Sequence, residues 1–534
     1  MNWLPAALCV APVSFLVVGL IPSRVADRSP RPLGFLAAIL AGSSLFLSVV
    51  AAIRILTTGP LDAVFLRWTS PLPVTFGLHV DGVAVVMLTL ISFIALVIIR
   101  FSSRSLRGDV HQGKFFRWIS VTLGATLLMV LSRNLVMFTG AWMLTSLGLH
   151  QLLIHYPERT WAVWAARKKF LISRLGDVFL VAAVALAYLN FGTTEYTEMF
   201  TAADRIHDET DPGNLSTTLI GTLFVLGAMT KSAQFPFHSW LPDTMETPTP
   251  VSALMHAGVI NAGGFLIIRL SPLVSLSPIA LDLLALIGGA TAVLGSVVML
   301  TQSSIKRSLA YSTIAQMGFM MLQCGLGAFS AALLHIVAHS VYKAHAFLRC
   351  GSVLDVAQRN ASVQINPPAT DRSLVHLAGA VAIACVIVPG IFHAVGIDLL
   401  NKPGGVVLGL VLILALTQFL WNAFATRILG LAVRGIATAC LVTVANSVAF
   451  LAMDRVVVSS ISHHTLTPSP WDTAVLLLAV HGLIGIFALQ ALAGPLAHLP
   501  CMRALYVHAL NGFYIDIPAR RLTAWVYGQS APVP

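Results

Sequence analysis

The sequence predicts an all-α polytopic membrane protein with about fifteen transmembrane helices. Three observations carry that expectation. Hydrophobic residues make up 57% of the 534 and charged ones only 10%, where a soluble chain carries about 25% charged residues. Apolar runs recur from end to end, each roughly 17–25 residues long, enough to cross a hydrocarbon core at about 1.5 Å per residue. The period-2 alternation of a β-barrel is absent. Irregular backbone cannot face lipid, so runs this apolar are read as helices.

In chain order the predicted spans are 4–21, 34–53, 80–99, 118–132, 135–154, 171–190, 216–239, 249–269, 281–300, 308–325, 331–350, 374–396, 405–425, 431–452 and 472–494. The first, within MNWLPAALCVAPVSFLVVGL, lacks a basic flank and a small-x-small cleavage site. It reads as a retained helix, not a signal peptide. The polar stretches 191–215, 351–373 and 453–471 are predicted loops, with His463 and His464 as solvated residues of the last. The chain divides into helices 1–3 (1–110), helices 4–8 (111–272), helices 9–13 (273–428) and a C-terminal part with a tail (429–534).

Loop charges set the expected orientation. The first loop carries Arg24, Arg28 and Arg31; the third Arg100, Arg104, Arg107, Lys114 and Arg117; the fifth Arg159, Arg167, Lys168, Lys169 and Arg174. The intervening loops hold only Arg54 and Arg67, then Arg133, then Arg205 among acidic neighbours. The positive-inside rule therefore places the odd-numbered loops in the cytoplasm, the N-terminus outside and, after fifteen crossings of the inner membrane, the C-terminus inside. The net charge of +11 is spread through these short loops, so it is not a nucleic-acid-binding face.

Other chemistries find no support. Cys9, Cys324, Cys350, Cys385, Cys440 and Cys501 have no CxxC spacing and read as small buried hydrophobes. No Walker loop, dinucleotide glycine fingerprint, nucleophile elbow or HExxH is present. The chain is expected to carry no cofactor, no metal and no catalytic residue.

Two spans contain breakers. The seventh, LFVLGAMTKSAQFPFHSWLP, has Pro236 just after Lys231; the twelfth, LAGAVAIACVIVPGIFHAVGIDLL, has Pro389–Gly390. Proline removes a helical hydrogen bond and clashes with the preceding turn. In a membrane the freed carbonyl needs protein or water, so broken helices tend to line cavities. Two breaks about five helices apart suggest a repeat of helices 4–8 in helices 9–13. A single break read alone is more often an ordinary packing kink; the spacing of the two, each near an ionisable residue, favours a site.

An ionisable group inside a span costs about 2.5–3.5 kcal/mol on insertion scales and is a functional candidate by default. Lys231 is the clearest, and Asp177 in RLGDVFL is its candidate partner. A lysine poised between an apolar surround and a carboxylate can take up and release a proton; a static ion pair is the other reading. In the eleventh span, HIVAHSVYKAHAFLRC, His335, His339 and Lys343 recur every four residues and share one helix face. Histidines in such a line can relay protons. The i,i+4 histidine pair has no third metal ligand nearby. His256 either continues the path or is packed core. Lys306 and Arg307 start the tenth span, where their long stems can also snorkel. Asp398, nine residues past Pro389, is either a second-half titratable group or a loop residue.

These residues also resemble a known family. KSAQFPFHSWLPDTMETPTPVSALMHAG (231–258), SSIKRSLAYSTIAQMGFM (303–320), HIVAHSVYKAHAFL (335–348) and RLGDVFL (174–180) resemble the antiporter-like subunits of NADH:quinone oxidoreductase, its subunit 5 above all, and of Mrp cation/proton antiporters. The resemblance implies two inverted five-helix repeats with broken helices 7 and 12. It implies an ion pathway through Lys231, Asp177, His256, His335, His339 and Lys343. The sequence departs from the family where Ala141–Trp142–Met143 replaces its Gly-Trp-Glu, where Ser304 replaces an acidic residue, and in ending soon after NGFYIDIPARRL with no long lateral helix. With HAGVINAGGFLIIRLSPL (256–273), the pattern resembles the DabB subfamily. That implies a membrane subunit of an energy-coupled inorganic-carbon pump, conducting protons or sodium ions to drive a zinc-bearing DabA partner. A proton-pumping respiratory or Mrp subunit, and a purely structural membrane anchor, remain the other readings.

Overall fold

The computed structural model describes residues 3–68, 74–208, 214–352, 374–398, 403–462, 470–493 and 495–528. His463 and His464 lie outside them. The helices are α1 (Leu4–Gly19), α2 (Ser23–Arg28), α3 (Pro30–Thr58), α4 (Gly82–Ser105), α5 (Gln112–Leu131), α6 (Leu135–Leu153), α7 (Thr160–Phe191), α8 (Tyr196–Asp208), α9 (Leu215–Lys231), α10 (Thr249–Ala257), α11 (Ala262–Arg269) and α12 (Ser271–Val274). They continue as α13 (Pro278–Thr301), α14 (Ile305–Gly325), α15 (Phe329–Arg349), α16 (Leu374–Val395), α17 (Pro403–Phe424), α18 (Leu429–Val457), α19 (Pro470–Leu492), α20 (Pro500–Leu510) and α21 (Ile517–Tyr527). Side-chain caps start several of them, because the first helical N–H groups need acceptors. Asp81 accepts from Ala84 N, Asn134 from Met137 N, Asn214 from Thr217 N and Ser277 from Ala280 N.

Ten helical stretches among the described residues are long and apolar enough to cross a membrane; α1 and α9 are apolar but shorter. Burial separates core helices from lipid-facing ones. The most apolar window of α4 is 72% buried, whereas that of α19 is 6% buried although equally free of charge. An apolar helix left that bare in the fold is solvated by lipid tails.

The all-α expectation needs one correction. Residues between the second and third predicted spans form an antiparallel hairpin, β1 (Leu61–Trp68) with β2 (Val74–Val80). In VTFGLHV, Thr75, Gly77, Leu78 and Val80 are buried, with Val74, Phe76 and His79 half-buried. The segment lies beyond the ends of α3 and α4, where paired strands need no helix to satisfy their backbone.

The first, third and fifth loops meet on one face. Asp27 accepts from Lys114 N at 2.7 Å, Arg117 donates to Gly19 O and Ser23 Oγ, and Tyr156 donates to Asp109 at 2.9 Å. The hairpin occupies the opposite face, where Arg133 pairs with Asp62 (2.8 Å) and Glu195 (2.9 Å). Four charges counted for the fifth loop, Arg167, Lys168, Lys169 and Arg174, lie inside α7 instead. Lys168 and Lys169 are buried within α7, and Arg174 pairs with Asp177 inside the same helix. The cysteines also differ from expectation: Cys324 is buried, but Cys385 and Cys501 are exposed.

The expected break at Pro389–Gly390 is not found, since α16 runs through Pro389. Ala380, Ala384, Val388 and Phe392 form one buried stripe that packs with Leu416, Leu420, Trp421 and Ala439. That stripe packs on both sides of the proline, so the lost hydrogen bond does not unwind the helix.

Candidate ion pathway

The break after α9 is where the site begins. The helix stops at Lys231, Ala233 takes a left-handed φ of 49°, and Pro236 has no N–H to continue the ladder. Protein groups take up the freed polar atoms, as a membrane interior demands. Ser232 N bonds Ala228 O, Gln234 N bonds Met229 O, Trp240 Nε1 bonds Thr230 O, and Phe235 N bonds Thr291 Oγ1. Opposite the break, a Cβ on Gly176 would sit 2.0 Å from Thr230 Oγ1. Only glycine lets α7 approach α9 this closely.

Lys231 is 6% exposed. Its ammonium donates to Ser146 Oγ (3.0 Å) and Trp142 O (3.2 Å), and lies 4.4 Å from the centre of the Trp142 ring. These groups lie one turn apart on α6, flanking Met143. Asp177, the expected partner, is in contact with Arg174 instead, at 2.6 Å. It acts on Lys231 only through the field between their charges. Sequence reasoning missed Lys169, whose ammonium is buried and donates to Ser146 O at 2.8 Å. It also missed the neighbouring Lys168, which pairs with Asp243 (2.5 Å) and Asp516 (2.6 Å).

A second break falls at Gly258, between α10 and α11, one not expected from sequence. It exposes Ala257 O to Asn261 Nδ2, which also donates to Ser340 Oγ on α15 (2.8 Å). His256 lies fully buried in the turn before, its ring stacked on Phe347 at 4.2 Å. Its Nδ1 is 3.0 Å from Thr313 Oγ1. Thr313 donates its own hydroxyl proton to Leu309 O, so the histidine is the donor. Leu309 O accepts a second bond, from Lys343 Nζ at 3.1 Å. Thr313 and Leu309 O thus join α10 to α15 through α14.

Along α15 the rings of His335 and His339 lie 6.0 Å apart. His339 is 5% exposed, and neither ring nitrogen has a hydrogen-bond partner among the described residues. Both histidines line a cavity of about 1290 Å³, together with Gln316, Gln323, Asp282, Asp398 and Asp454. At about 30 Å³ per molecule it has room for tens of waters. Asp398, past the end of α16 at Val395, lines the same cavity as the histidines. Asp454 accepts from Ser330 Oγ at 2.6 Å. Lys306 stands off this line: it is half-buried at the start of α14 and donates to Met245 O at 3.4 Å. Among the described residues no group of three or more His, Cys, Asp or Glu is placed to hold a metal.

Sequence comparison follows this geometry. The family described as NADH:quinone oxidoreductase/Mrp antiporter, transmembrane, matches residues 132–368, and the N-terminus of complex I chain 5 matches 66–116. "Probable inorganic carbon transporter subunit DabB2" of Halothiobacillus neapolitanus is 40% identical over 450 residues, 83% of this chain and 79% of that protein. "Probable inorganic carbon transporter subunit DabB" of Hydrogenovibrio crunogenus is 32% identical over 100% of this chain and 96% of its own length. The chain belongs to the DabB family. DabB membership sits within the wider antiporter-like group. NAD(P)H-quinone oxidoreductase subunit 5 of the Ranunculus macranthus chloroplast is 34% identical, across 61% of this chain and 45% of that protein. The Mrp complex from Dietzia sp. DQ12-45-1b matches in structure with a TM-score of 0.62 at 25% identity, covering 99% of this chain but 63% of that one. An archaeal membrane-bound sulfane sulfur reductase shares the fold, with a TM-score of 0.53 at 17% identity.

Proposed function

We propose that this DabB-family chain is the cation-conducting membrane subunit of an energy-coupled inorganic-carbon uptake complex. Protons, or sodium ions, run down their gradient through Lys231, His256, Lys343, His339 and His335, with Asp177 biasing Lys231 and Asp398 serving the second half. That flow drives a DabA-type zinc partner, which carries the carbon chemistry. The chain crosses the inner membrane fifteen times, N-terminus outside and C-terminus cytoplasmic, with 111–272 and 273–428 as inverted repeats.

The observation carrying this reading is the cluster His256–Thr313–Leu309 O–Lys343, which brings the broken-helix half to the histidines and their cavity; Thr313 and Lys343 both donate to Leu309 O, so a proton crosses between them by way of water and not through that carbonyl. A proton path needs polar groups within hydrogen-bond reach or one water of each other. Lys231→Ala and His339→Ala variants, produced with the partner, are expected to fail to restore growth in air to a strain lacking carbonic anhydrase. Wild-type growth with either variant, at normal membrane levels, overturns the proposal. The Mrp-like fold keeps cation/proton antiport as a second reading. Co-purification of respiratory or Mrp subunits, instead of a zinc protein, would favour it.

A further inference from the structure

We infer that Lys169 and Lys231 form a coupled lysine pair that shares one proton, doing in this chain the work that a lysine–carboxylate pair would do. The inference rests on the conduction reading above. Both ammonium groups bond the same residue of α6, Lys169 through Ser146 O (2.8 Å) and Lys231 through Ser146 Oγ (3.0 Å). Both are buried, at 2% and 6% exposure. Among the described residues no carboxylate hydrogen-bonds Lys231: its bonds go to Trp142 O and Ser146 Oγ. Met143, between those residues, supplies none.

The surroundings define what the pair can do. The titratable and charged groups around Lys169 are Lys231 on α9, His150 on α6, and Arg174 and Asp177 on its own helix. His238 stands on the segment after the break, and Lys168 is held by Asp243 and Asp516. Arg174 already faces Asp177, and Lys168 already has two carboxylates. Among the described residues around the pair, no full negative charge is left over for a second ammonium beside Ser146. Two like charges this close in a water-poor bundle repel, so protonating one amine expels the proton from the other. The step balances simply: Lys169 Nζ gives up a proton, Lys231 Nζ takes one up through an intervening water, and the pair stays at a single positive charge. An ion pair moves a proton by approach and separation of its partners. A like-charged pair moves it by displacement, with Ser146 holding both amines in place.

The test is proton flux into proteoliposomes containing the chain with its partner, driven by an imposed potential and measured across external pH. Lys169→Met keeps the side chain's bulk but removes both the repulsion and the exchanging amine, so flux is expected to fall and Lys231 to hold its remaining proton harder. The alkaline limb of the profile is expected to move up by about one pH unit or more. Lys169→Arg keeps the bond to Ser146 O but cannot release its proton, and is expected to cut flux at least about tenfold. Lys231→Ala is the control. Wild-type flux and profile in both Lys169 variants, beside a dead Lys231→Ala, overturns this inference alone. A drop in assembled complex with unchanged flux per molecule makes Lys169 merely structural and does the same. Undiminished flux in Lys231→Ala overturns the conduction reading and this inference with it.

Discussion

Thr313 is the smallest group on which the pathway turns. Its hydroxyl accepts from His256 and donates to the carbonyl that also binds Lys343. Thr313→Val keeps the shape and removes both roles, leaving a buried imidazole N–H unpaired at a cost of about 1–3 kcal/mol. Uptake is expected to fall about tenfold or more, while Thr313→Ser restores it. Equal uptake in the valine variant at equal protein level removes Thr313 from the path. The titratable members of the line were legible in sequence because a charge inside an apolar run has few innocent explanations. Thr313 was not, since a lone hydroxyl in a membrane helix is ordinarily satisfied by its own turn. Lys169 was hidden for another reason. Beside Arg167 and Lys168 it reads as part of a basic loop, and only the start of α7 at Thr160 places it inside the bundle. A tight contact is the third kind of residue that sequence left silent. Gly176→Ala would push a methyl into Thr230, and is expected to lower the yield of folded protein on size-exclusion chromatography in detergent.

Two prolines show why breaks in elements are only half readable. Pro236 follows a left-handed Ala233 and a run of polar side chains that take over the backbone bonds, so the helix ends. Pro389 is exposed, beside a buried apolar stripe that runs past it from Ala380 to Phe392, and the helix goes on. Local sequence holds the proline, but the groups that satisfy its freed carbonyl come from other elements. The hairpin repeats the lesson. It docks through Asp81, which caps α4, pairs with Arg269 of α11 at 2.6 Å and faces His79 at 3.6 Å. Arg269→Ala strands a buried carboxylate and is expected to cost about 3–5 kcal/mol, read as a lowered melting temperature in detergent. His79 gives this element a pH dependence. Burial opposes its charge, but the Asp62 and Asp81 carboxylates outweigh burial and raise its pKa above the ordinary imidazole value. A raised pKa stabilises the fold fully below the unfolded value of about 6.5, and that contribution fades as pH rises through the folded value. Thermal stability is therefore expected to decline from mildly acidic to alkaline pH, and His79→Gln to flatten the slope. A slope unchanged by the substitution assigns the effect elsewhere.

At the scale of the whole molecule, two faces differ in kind. One gathers the first, third and fifth loops with the Lys168–Asp243–Asp516 cluster; the other carries the hairpin. Hydropathy recovers which segments are apolar, because burial in lipid and burial in protein both select the same side chains. For the same reason it could not tell the protein-packed α4 from the lipid-bathed α19, nor show that Asp282, Asp398 and Asp454 converge on one cavity. Sidedness comes from charge alone. The positive-inside expectation survives the loss of Arg167, Lys168, Lys169 and Arg174 from the loop count, since Arg24, Arg28 and Arg31, then Arg100, Arg104, Arg107, Lys114 and Arg117, still stand against Arg54 and Arg67, Arg133, and Arg205. Two cysteines make this testable. Cys501 is exposed on α20, and Val64 is exposed on β1. In a chain whose one thiol is Cys501, a membrane-impermeant maleimide is expected to label inverted vesicles but not intact spheroplasts. In a chain whose one thiol is Val64→Cys, it is expected to label spheroplasts only. The reverse pattern inverts the orientation. The hairpin would then face the cytoplasm, the cavity would have to be sought as an inward-facing chamber, and any cation driving uptake would meet the lysine half of the path before the histidines.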